Sequence, residues 1–396
     1  MPSSYLHSTD TGNSILPRST LQITLMAVAA FVIVTTEFLI VGLLPALARE
    51  LNISIALAGQ LITLFAFTVM LFGPILTARL ARIDRRQLFT CILLVFAASN
   101  ALAAVADNFW VLAIARFIPA LLLPVFWGTA SETAGQLAGP AHSGKAVANV
   151  YLGISAALVF GIPLGTLAAD AVGWRASFWI LAGICLLIGL MMRVYMPKLP
   201  SAPQRTAGDK QSRIFKDPIF LAHVLLSTLA FTAMFTAYTY LADTLERLAG
   251  IAPSQVGWWL MGFGAVGMIG NHFGGRMVDR SPLGATILFL ALLGAGMLAA
   301  TPLAGSHVWL AGALIVWGIA YTALFPICQV RVMRAGAKAQ ALAATMNISA
   351  ANAGIGLGAI FGGLGIRHYG LESLGIISTV IAGVAIVIAL LLMRRQ

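Results

Sequence analysis

Long apolar runs separated by short polar segments dominate the pattern of this 396-residue chain. Runs of roughly 20 residues are long enough to cross a bilayer as helices. Twelve such runs recur, centred near residues 34, 68, 96, 121, 158, 186, 230, 264, 290, 317, 353 and 382. The pattern therefore predicts an all-α polytopic membrane protein with twelve transmembrane helices and both termini on one side.

Composition supports this class, because 60% of the residues are hydrophobic and only 9% are charged. Soluble proteins carry about 25% charged residues. Nineteen Lys and Arg residues, Arg331 among them, fall in the first tail, the alternate loops and the C-terminus, and four fall in the opposite loops. The positive-inside rule therefore predicts that both termini are cytoplasmic. The net charge of +11 forms no basic patch of the kind that binds nucleic acid.

The longest polar interruption is rich in Pro, Lys, Gln and Ser, as flexible linkers are. It predicts a cytoplasmic tail at 1–20, an N-terminal six-helix bundle at 21–196, a cytoplasmic linker at 197–217 and a C-terminal six-helix bundle at 218–396. A faint repeat relates Thr77–Arg82 to Gly275–Arg280, which stand 198 residues apart. Repeated halves with a site between them are typical of secondary transporters.

Glu37 lies deep inside the first apolar run, where a carboxylate is costly and rarely lacks a partner, a water-filled cavity or a function. One hypothesis is that Glu37 carries a proton, since burial favours the protonated form of a carboxyl group. The alternative is that the carboxylate is held permanently in an ion pair.

Arg116 is the one basic residue left within an apolar run by this sorting. The first helix runs outward and the fourth inward, and both residues lie seven or eight positions from the predicted external ends. At 1.5 Å per residue this places each of them about 11 Å inside, so they can meet. A nearby guanidinium would favour ionised Glu37 and act as a switch. Alternatively, Arg116 caps backbone carbonyl groups or fixes water.

Several short segments resemble the signature motifs of the major facilitator superfamily. They are Gly275, Asp279 and Arg280 after the eighth helix, Gly161, Pro163 and Gly165 in the fifth, and Gly173-Trp174-Arg175 with Phe178. With Thr35-Thr36-Glu37-Phe38, Gly42-Leu43-Leu44-Pro45 and Ala58-Gly59-Gln60-Leu61, the first half resembles the proton-linked efflux branch that contains bacterial sugar, arabinose and purine efflux transporters. The resemblance implies two six-helix bundles with pseudo-two-fold symmetry around a central cavity.

The resemblance also implies a cytoplasmic gate latch in the loop after the second helix. The candidates there are Arg82, Asp84 and Arg85, with Glu132 as a partner for either arginine. The loop departs from the family pattern, because Thr77 and Asp84 replace glycines and Ala81 replaces the acid. The second copy keeps Gly275, Asp279 and Arg280, and we expect the last two to tie helix ends together. In this family the Gly161-Pro163-Gly165 motif accompanies antiport.

Helical spacing selects candidates for a substrate cavity. They are Thr36, Phe126, Trp127, Thr232, Thr236, Thr239, Trp317, Tyr321, Thr345, Ser349 and Asn352. Each of them could equally be a packing residue. Together they suggest a cavity of hydroxyl, amide and aromatic groups, suited to small neutral polar or amphipathic solutes such as sugars, nucleosides, purines or drugs.

The predicted function is proton-coupled export, with uptake by symport as the alternative. An enzyme is disfavoured because HExxH and GxSxG are absent, and nucleotide-driven transport because GxxxxGK[ST] is absent. A channel would not need the repeated halves. The histidines fall in the tail or near helix ends and are predicted to be surface or interfacial residues. We expect no metal or cofactor, protons as coupling ion, a small-molecule substrate, no nucleic acid, a monomer, and a place in the bacterial inner membrane.

Overall fold

The computed structural model describes residues 17–80, 82–139, 142–199, 214 and 216–395. Within these ranges the chain is almost entirely α-helical and has no strand. The helices are α1 (Pro17–Glu50), α2 (Ile55–Leu80), α3 (Arg85–Ala104), α4 (Phe109–Ala138), α5 (Ser143–Ala156), α6 (Ile162–Val172), α7 (Trp174–Tyr195), α8 (Pro218–Tyr238), α9 (Leu241–Arg247), α10 (Pro253–Arg280), α11 (Pro282–Ala300), α12 (His307–Ala335), α13 (Gln340–Tyr369) and α14 (Ser373–Met393).

All twelve predicted apolar runs are helical, which confirms the predicted fold class. In the described ranges, eleven stretches are long and apolar enough to span a membrane. The remaining run is α10, whose 28 residues include Asn271, His272 and Arg276 in the cytoplasmic half. Most of the predicted tail, Ala81 and most of the linker lie outside the described residues, so the predicted domain boundaries stay predictions.

Local chemistry sets where several helices begin. Pro218 and Pro282 occupy the first positions of α8 and α11, where a missing N–H costs no helical hydrogen bond. Asp84 caps α3, because its Oδ1 accepts a hydrogen bond from the Gln87 N–H at 3.2 Å. Asp84 therefore starts a helix, and the structure gives it no ion pair among the described residues.

Each half packs mainly within itself. In the first half α3 lies against α7, α2 against α4, and α1 against α5. In the second half α12 lies against α10 and α11, α14 against α8 and α11, and α13 against α8. The halves meet where α2 contacts α13 and where α6 contacts α10. This arrangement places α2, α6, α10 and α13 at the junction of the halves, and α1 also reaches α9 and α10 there.

The contacts between the halves lie toward the external side. Arg49 at the end of α1 forms an ion pair with Glu246 at the end of α9, with 2.6 Å between Nη1 and Oε2. The Thr63 hydroxyl in the external half of α2 donates to the Gly356 carbonyl of α13 at 3.2 Å. Tyr240 donates to the Ala359 carbonyl at 2.8 Å within the second half, and a methyl group added at Gly59 of α2 would meet the Tyr240 ring. The structure is therefore closed on the side away from the termini, which is the predicted external side.

Candidate functional site

Glu37 and Arg116 come together, but through the backbone of α1. The buried Arg116 guanidinium donates from Nη2 to the Glu37 carbonyl oxygen at 2.6 Å and from Nη1 to the Thr36 carbonyl oxygen. Glu37 lies 13 residues before the end of α1 and Arg116 only seven after the start of α4. The predicted distance of Glu37 from the end of its helix was wrong, because α1 continues to Glu50, beyond its apolar run, but the two residues meet at one level of the bundle.

The Glu37 carboxyl group is partly exposed and has no ion pair within 4 Å among the described residues. Arg116 remains near enough to influence it electrostatically. The sequence left two roles open for Arg116, pairing with the Glu37 carboxylate or capping backbone carbonyl groups. In this conformation the guanidinium caps carbonyl groups. The carboxyl group is therefore not held by an ion pair in the described part of the chain.

Two further residues belong to this site, one against Arg116 and one against Thr36, and the sequence analysis missed both. The guanidinium lies over the Phe65 ring of α2, 4.6 Å from its centroid. The buried Asn100 side chain of α3 donates from Nδ2 to the Thr36 hydroxyl at 3.1 Å. Thr36 is thus part of a buried polar group that joins α1, α3 and α4. A lone Asn inside an apolar run was the signal that could have found this contact.

The fifth span packs its glycine motif against α1 on either side of Glu37. Between α5 and α6, residues Ala157–Gly161 form one π-helical turn directly before Pro163, which has no backbone N–H. A methyl group added at Gly161 would lie 3.0 Å from the Thr35 Cβ, and one at Gly165 would meet Leu39. The motif therefore lets the fifth span approach the helix that carries Glu37.

We expect Gly161→Ala to lower the free energy of unfolding by about 1–3 kcal/mol, because the added methyl group overpacks this contact. Gly183→Ala in α7 is the matched control, since an added methyl group there meets no other atom within 4 Å. Thermal unfolding of both variants in detergent, followed by tryptophan fluorescence, measures the difference. Equal transition temperatures in the two variants would contradict the close-packing role of Gly161.

Across the junction, an aromatic cluster of the second half meets Phe38, the residue after Glu37. Phe38 packs on Phe235 of α8 with 5.9 Å between ring centroids. The Tyr238 and Tyr321 rings are 4.5 Å apart, and Trp317 packs edge-on to Phe263, whose centroid is 5.5 Å away. A cavity of about 10 Å³ is lined by Leu158, Ile162, Tyr238, Leu260, Phe263, Gly264, Tyr321 and Thr322. The space is about that of one water molecule.

Three of the predicted cavity residues, Thr232, Thr236 and Thr239, are buried inside the second bundle. The Thr232 and Thr236 hydroxyls donate to carbonyl groups one turn earlier in α8, each at 2.7 Å, and Thr239 is also fully buried. Glycines 354, 358 and 362 of α13 pack against this face of α8. Here the prediction of a cavity-lining face is not met, because the glycines draw α13 onto the threonines.

The other cavity candidates divide by burial. Phe126 and Trp317 are buried, and Tyr321 is buried beside the 10 Å³ cavity. Trp127 is partly exposed and contacts the Tyr151 ring at 5.3 Å. On α13, Thr345 is exposed, Ser349 is partly exposed and Asn352 is buried. Contact of any of these residues with substrate stays a prediction.

The latch residues form two separate ties, one in each half. Buried Arg85 pairs with Glu132 of α4 at 2.8 Å, which leaves Arg82 exposed. Asp279 of α10 pairs with Arg334 of α12 at 2.9 Å. Arg280 is exposed and has no ion pair in the described part of the chain.

The glycine of the second motif differs from expectation in its packing. A methyl group added at Gly275 would meet no other atom within 4 Å, whereas one at Gly274 would lie 2.9 Å from the Ala323 Cα. In this conformation Gly274 is therefore the residue that lets α10 approach α12.

Two basic residues of the second half were placed wrongly by the sequence analysis. Arg331 was counted as a loop residue, but α12 continues past it and the side chain is 1% exposed. His223, expected at the surface, is 2% exposed in α8. Both lie within two turns of a helix end, where polar residues ordinarily reach water. Their inward direction depends on neighbouring helices and could not be derived from their position in sequence.

Two bundles of membrane-spanning helices that meet at one junction are typical of polytopic membrane transporters. The family model described as Major Facilitator Superfamily matches residues 26–346 and 225–396. Inner membrane transport protein YdhP of Escherichia coli strain K12 is 34% identical over 372 residues, covering 94% of this chain and 95% of that protein. The chain therefore belongs to the major facilitator superfamily and is a transporter rather than an enzyme.

Solved structures of low sequence identity share the fold. A bacterial homologue of the human lysosomal transporter Spinster, in an inward-facing and unoccupied conformation, has a TM-score of 0.81 at 16% identity, covering 96% of this chain and 98% of that chain. The nucleoside transporter NupG has a TM-score of 0.74 at 15% identity, covering 95% and 98%.

Proposed function

We propose that this protein is a proton-coupled antiporter that exports small neutral polar or amphipathic solutes by alternating access. The observation that carries the proposal is the free carboxyl group of Glu37 at the junction of the two halves. A carboxylate that served only structure would be held in a permanent ion pair. Here the guanidinium that could hold it is occupied by the Thr36 and Glu37 carbonyl oxygens.

The proposed cycle uses Glu37 as the proton carrier and Arg116 as its positioning partner. In the conformation closed on the external side, Glu37 exchanges its proton with the cytoplasmic side and substrate enters from there. When the halves rock to open outward, substrate leaves and an external proton binds Glu37. The positive charge of Arg116 favours release of the proton, because it stabilises the ionised carboxylate.

The substrate class follows from the chemistry facing Glu37. Aromatic rings of Phe235, Tyr238, Phe263 and Tyr321 offer apolar faces and two phenol groups. Such a lining favours solutes that combine an apolar or planar surface with a few hydroxyl or amide groups. Sugars, nucleosides and neutral amphipathic drugs meet this description. NupG, which shares the fold, is a nucleoside transporter, and this makes a nucleoside a reasonable probe.

Location and direction complete the proposal. The relative YdhP is named an inner membrane transport protein, which supports a bacterial inner membrane for this chain. The excess of basic residues in one set of loops favours cytoplasmic termini. Export rests on the Gly161-Pro163-Gly165 motif. One chain supplies both halves, so we propose a functional monomer.

Transport by purified protein in liposomes with an imposed pH gradient tests the coupling and its sign. Labelled arabinose, uridine and chloramphenicol represent the three solute classes. Antiport predicts that a substrate accumulates in liposomes whose interior is acidic, because outward proton flow drives it inward. Symport predicts accumulation when the exterior is acidic. Movement of all three probes that only equalises their concentrations, whichever side is acidic, would contradict proton coupling.

A further inference from the structure

A second cavity, of about 270 Å³, lies between the cytoplasmic ends of α8, α11 and α12. Its lining residues are His223, Pro282, Leu283, Arg331, Arg334 and Ala335. A single water needs only about 10–15 Å³, so this space admits a larger polar group. All of the lining belongs to the second half, whereas Glu37 and Arg116 belong to the first. The cavity is therefore distinct from the proposed proton site.

Arg331 brings unsatisfied charged donors to this cavity. Its side chain is 1% exposed, and Nη2 donates to the Ser227 hydroxyl at 2.8 Å. Nε and Nη1 are buried and have no hydrogen-bond partner among the described residues. The thiol of Cys328 is the other polar group beside the guanidinium. A guanidinium withdrawn from water in this way is stable only if an acceptor meets it, preferably a negatively charged one.

His223 adds a second buried polar group from another helix. The imidazole is 2% exposed, and neither Nδ1 nor Nε2 has a partner within the described part of the chain. The acid that acts electrostatically on His223 is Asp217, the residue that caps α8, whose Oδ1 already accepts from the Ile219 N–H at 2.9 Å. Among the described residues, no hydrogen-bond acceptor meets the His223 imidazole or the Nε and Nη1 atoms of Arg331.

The charges at the mouth of the cavity favour an anion. Arg334 is about half exposed and shares its charge with Asp279 at 2.9 Å. Pro282 begins α11, so the positive end of that helix dipole faces the same space. Arg331 is left without a carboxylate within 4 Å among the described residues. Arg331 and Arg334 carry two positive charges, and Asp279 with Asp217 carries two negative ones, so the attraction for an anion comes from Arg331, which no carboxylate pairs in the described residues, and not from a net local charge.

We propose that this cavity binds a phosphate-type anion, supplied either by the headgroup of an anionic lipid in the cytoplasmic leaflet or by free phosphate. Phosphate oxygens accept several hydrogen bonds at once and match the guanidinium and imidazole donors. The bound group would join α8, α11 and α12 beside the Asp279–Arg334 pair. The proposal is independent of proton coupling, since it uses no residue of the Glu37 site.

The test compares thermal unfolding of the full chain in two pairs of conditions. Phosphatidylcholine vesicles with and without phosphatidylglycerol form the lipid pair, and inorganic phosphate against chloride at equal ionic strength forms the free-anion pair. We expect stabilisation by phosphatidylglycerol if a lipid supplies the anion, and by inorganic phosphate if a free anion does. Arg331→Gln and His223→Asn should each weaken the apparent affinity about tenfold or more, as loss of one hydrogen bond to a charged group implies.

Arg276→Gln is the matched control, because Arg276 is an exposed cytoplasmic arginine of the same half and lies outside the cavity. It removes the same charge from a chain whose net charge of +11 attracts anions generally. Retained stabilisation in Arg276→Gln with loss in the cavity variants supports the site. Equal responses in all variants, or no response of the unaltered protein to either anion, would overturn it. If Arg331→Gln does not fold, His223→Asn decides.

Discussion

Glu37→Gln is expected to abolish accumulation of substrate against its gradient, down to the level of protein-free liposomes. The amide has nearly the same shape as the carboxyl group but can neither take up nor release a proton. Because Glu37 is partly exposed and unpaired among the described residues, the substitution removes no ion pair from the fold. Exchange of labelled for unlabelled substrate at equal pH on both sides should therefore continue at close to the original rate.

Glu50→Gln provides the control for this prediction. Glu50 lies on the same helix, at its external end, where it is exposed and pairs with Arg175. Exposed ion pairs contribute about 0–1 kcal/mol, so this variant should retain uphill transport. Uphill accumulation by Glu37→Gln at the original rate would remove Glu37 from the mechanism. Loss of both accumulation and exchange would instead mean that Glu37 binds substrate or supports the fold.

The sequence predicted the fold because membrane crossing imposes a long apolar run on every helix. It also predicted that Glu37 and Arg116 lie near each other, since rare polar residues in apolar runs converge inside a bundle. It could not decide which oxygen atoms Arg116 would bind. That choice depends on the position of Phe65 and on the register between α1 and α4, and neither is encoded within one helix.

The wrong placements of the α8 threonines, Arg331 and His223 have a common physical origin. Thr232, Thr236 and Thr239 give α8 a polar face in the sequence, and a polar face within a membrane helix suggests a cavity. Only the glycines at every fourth position of α13, from Gly354 to Gly362, reveal that another helix covers that face. Similarly, Arg331 and His223 stand near helix ends, where sequence favours the interface. Their burial arises from the meeting of α8, α11 and α12, which no single-helix pattern contains.

Arg116→Ala is expected to cause the largest loss of transport after Glu37→Gln, together with a loss of stability of about 2–4 kcal/mol. The substitution removes two charged hydrogen bonds from α4 to the Thr36 and Glu37 carbonyl oxygens, each worth about 1.5–3 kcal/mol in water-soluble proteins. Measured interhelical hydrogen bonds in membranes are weaker, averaging about 0.6 kcal/mol. It also removes the contact with the Phe65 ring and leaves a cavity there.

Two further variants separate position from charge. Arg116→Lys keeps the positive charge but cannot reproduce the fixed fork that reaches two carbonyl oxygens, so it should recover part of the transport and little of the stability. Arg193→Ala, an exposed arginine at the end of α7, should match the unaltered protein in both measurements. Transport and thermal unfolding are compared at equal amounts of inserted protein. An Arg116→Ala variant as active as the unaltered protein would refute a positioning role for Arg116, because Glu37 would then work without the guanidinium that lies beside it.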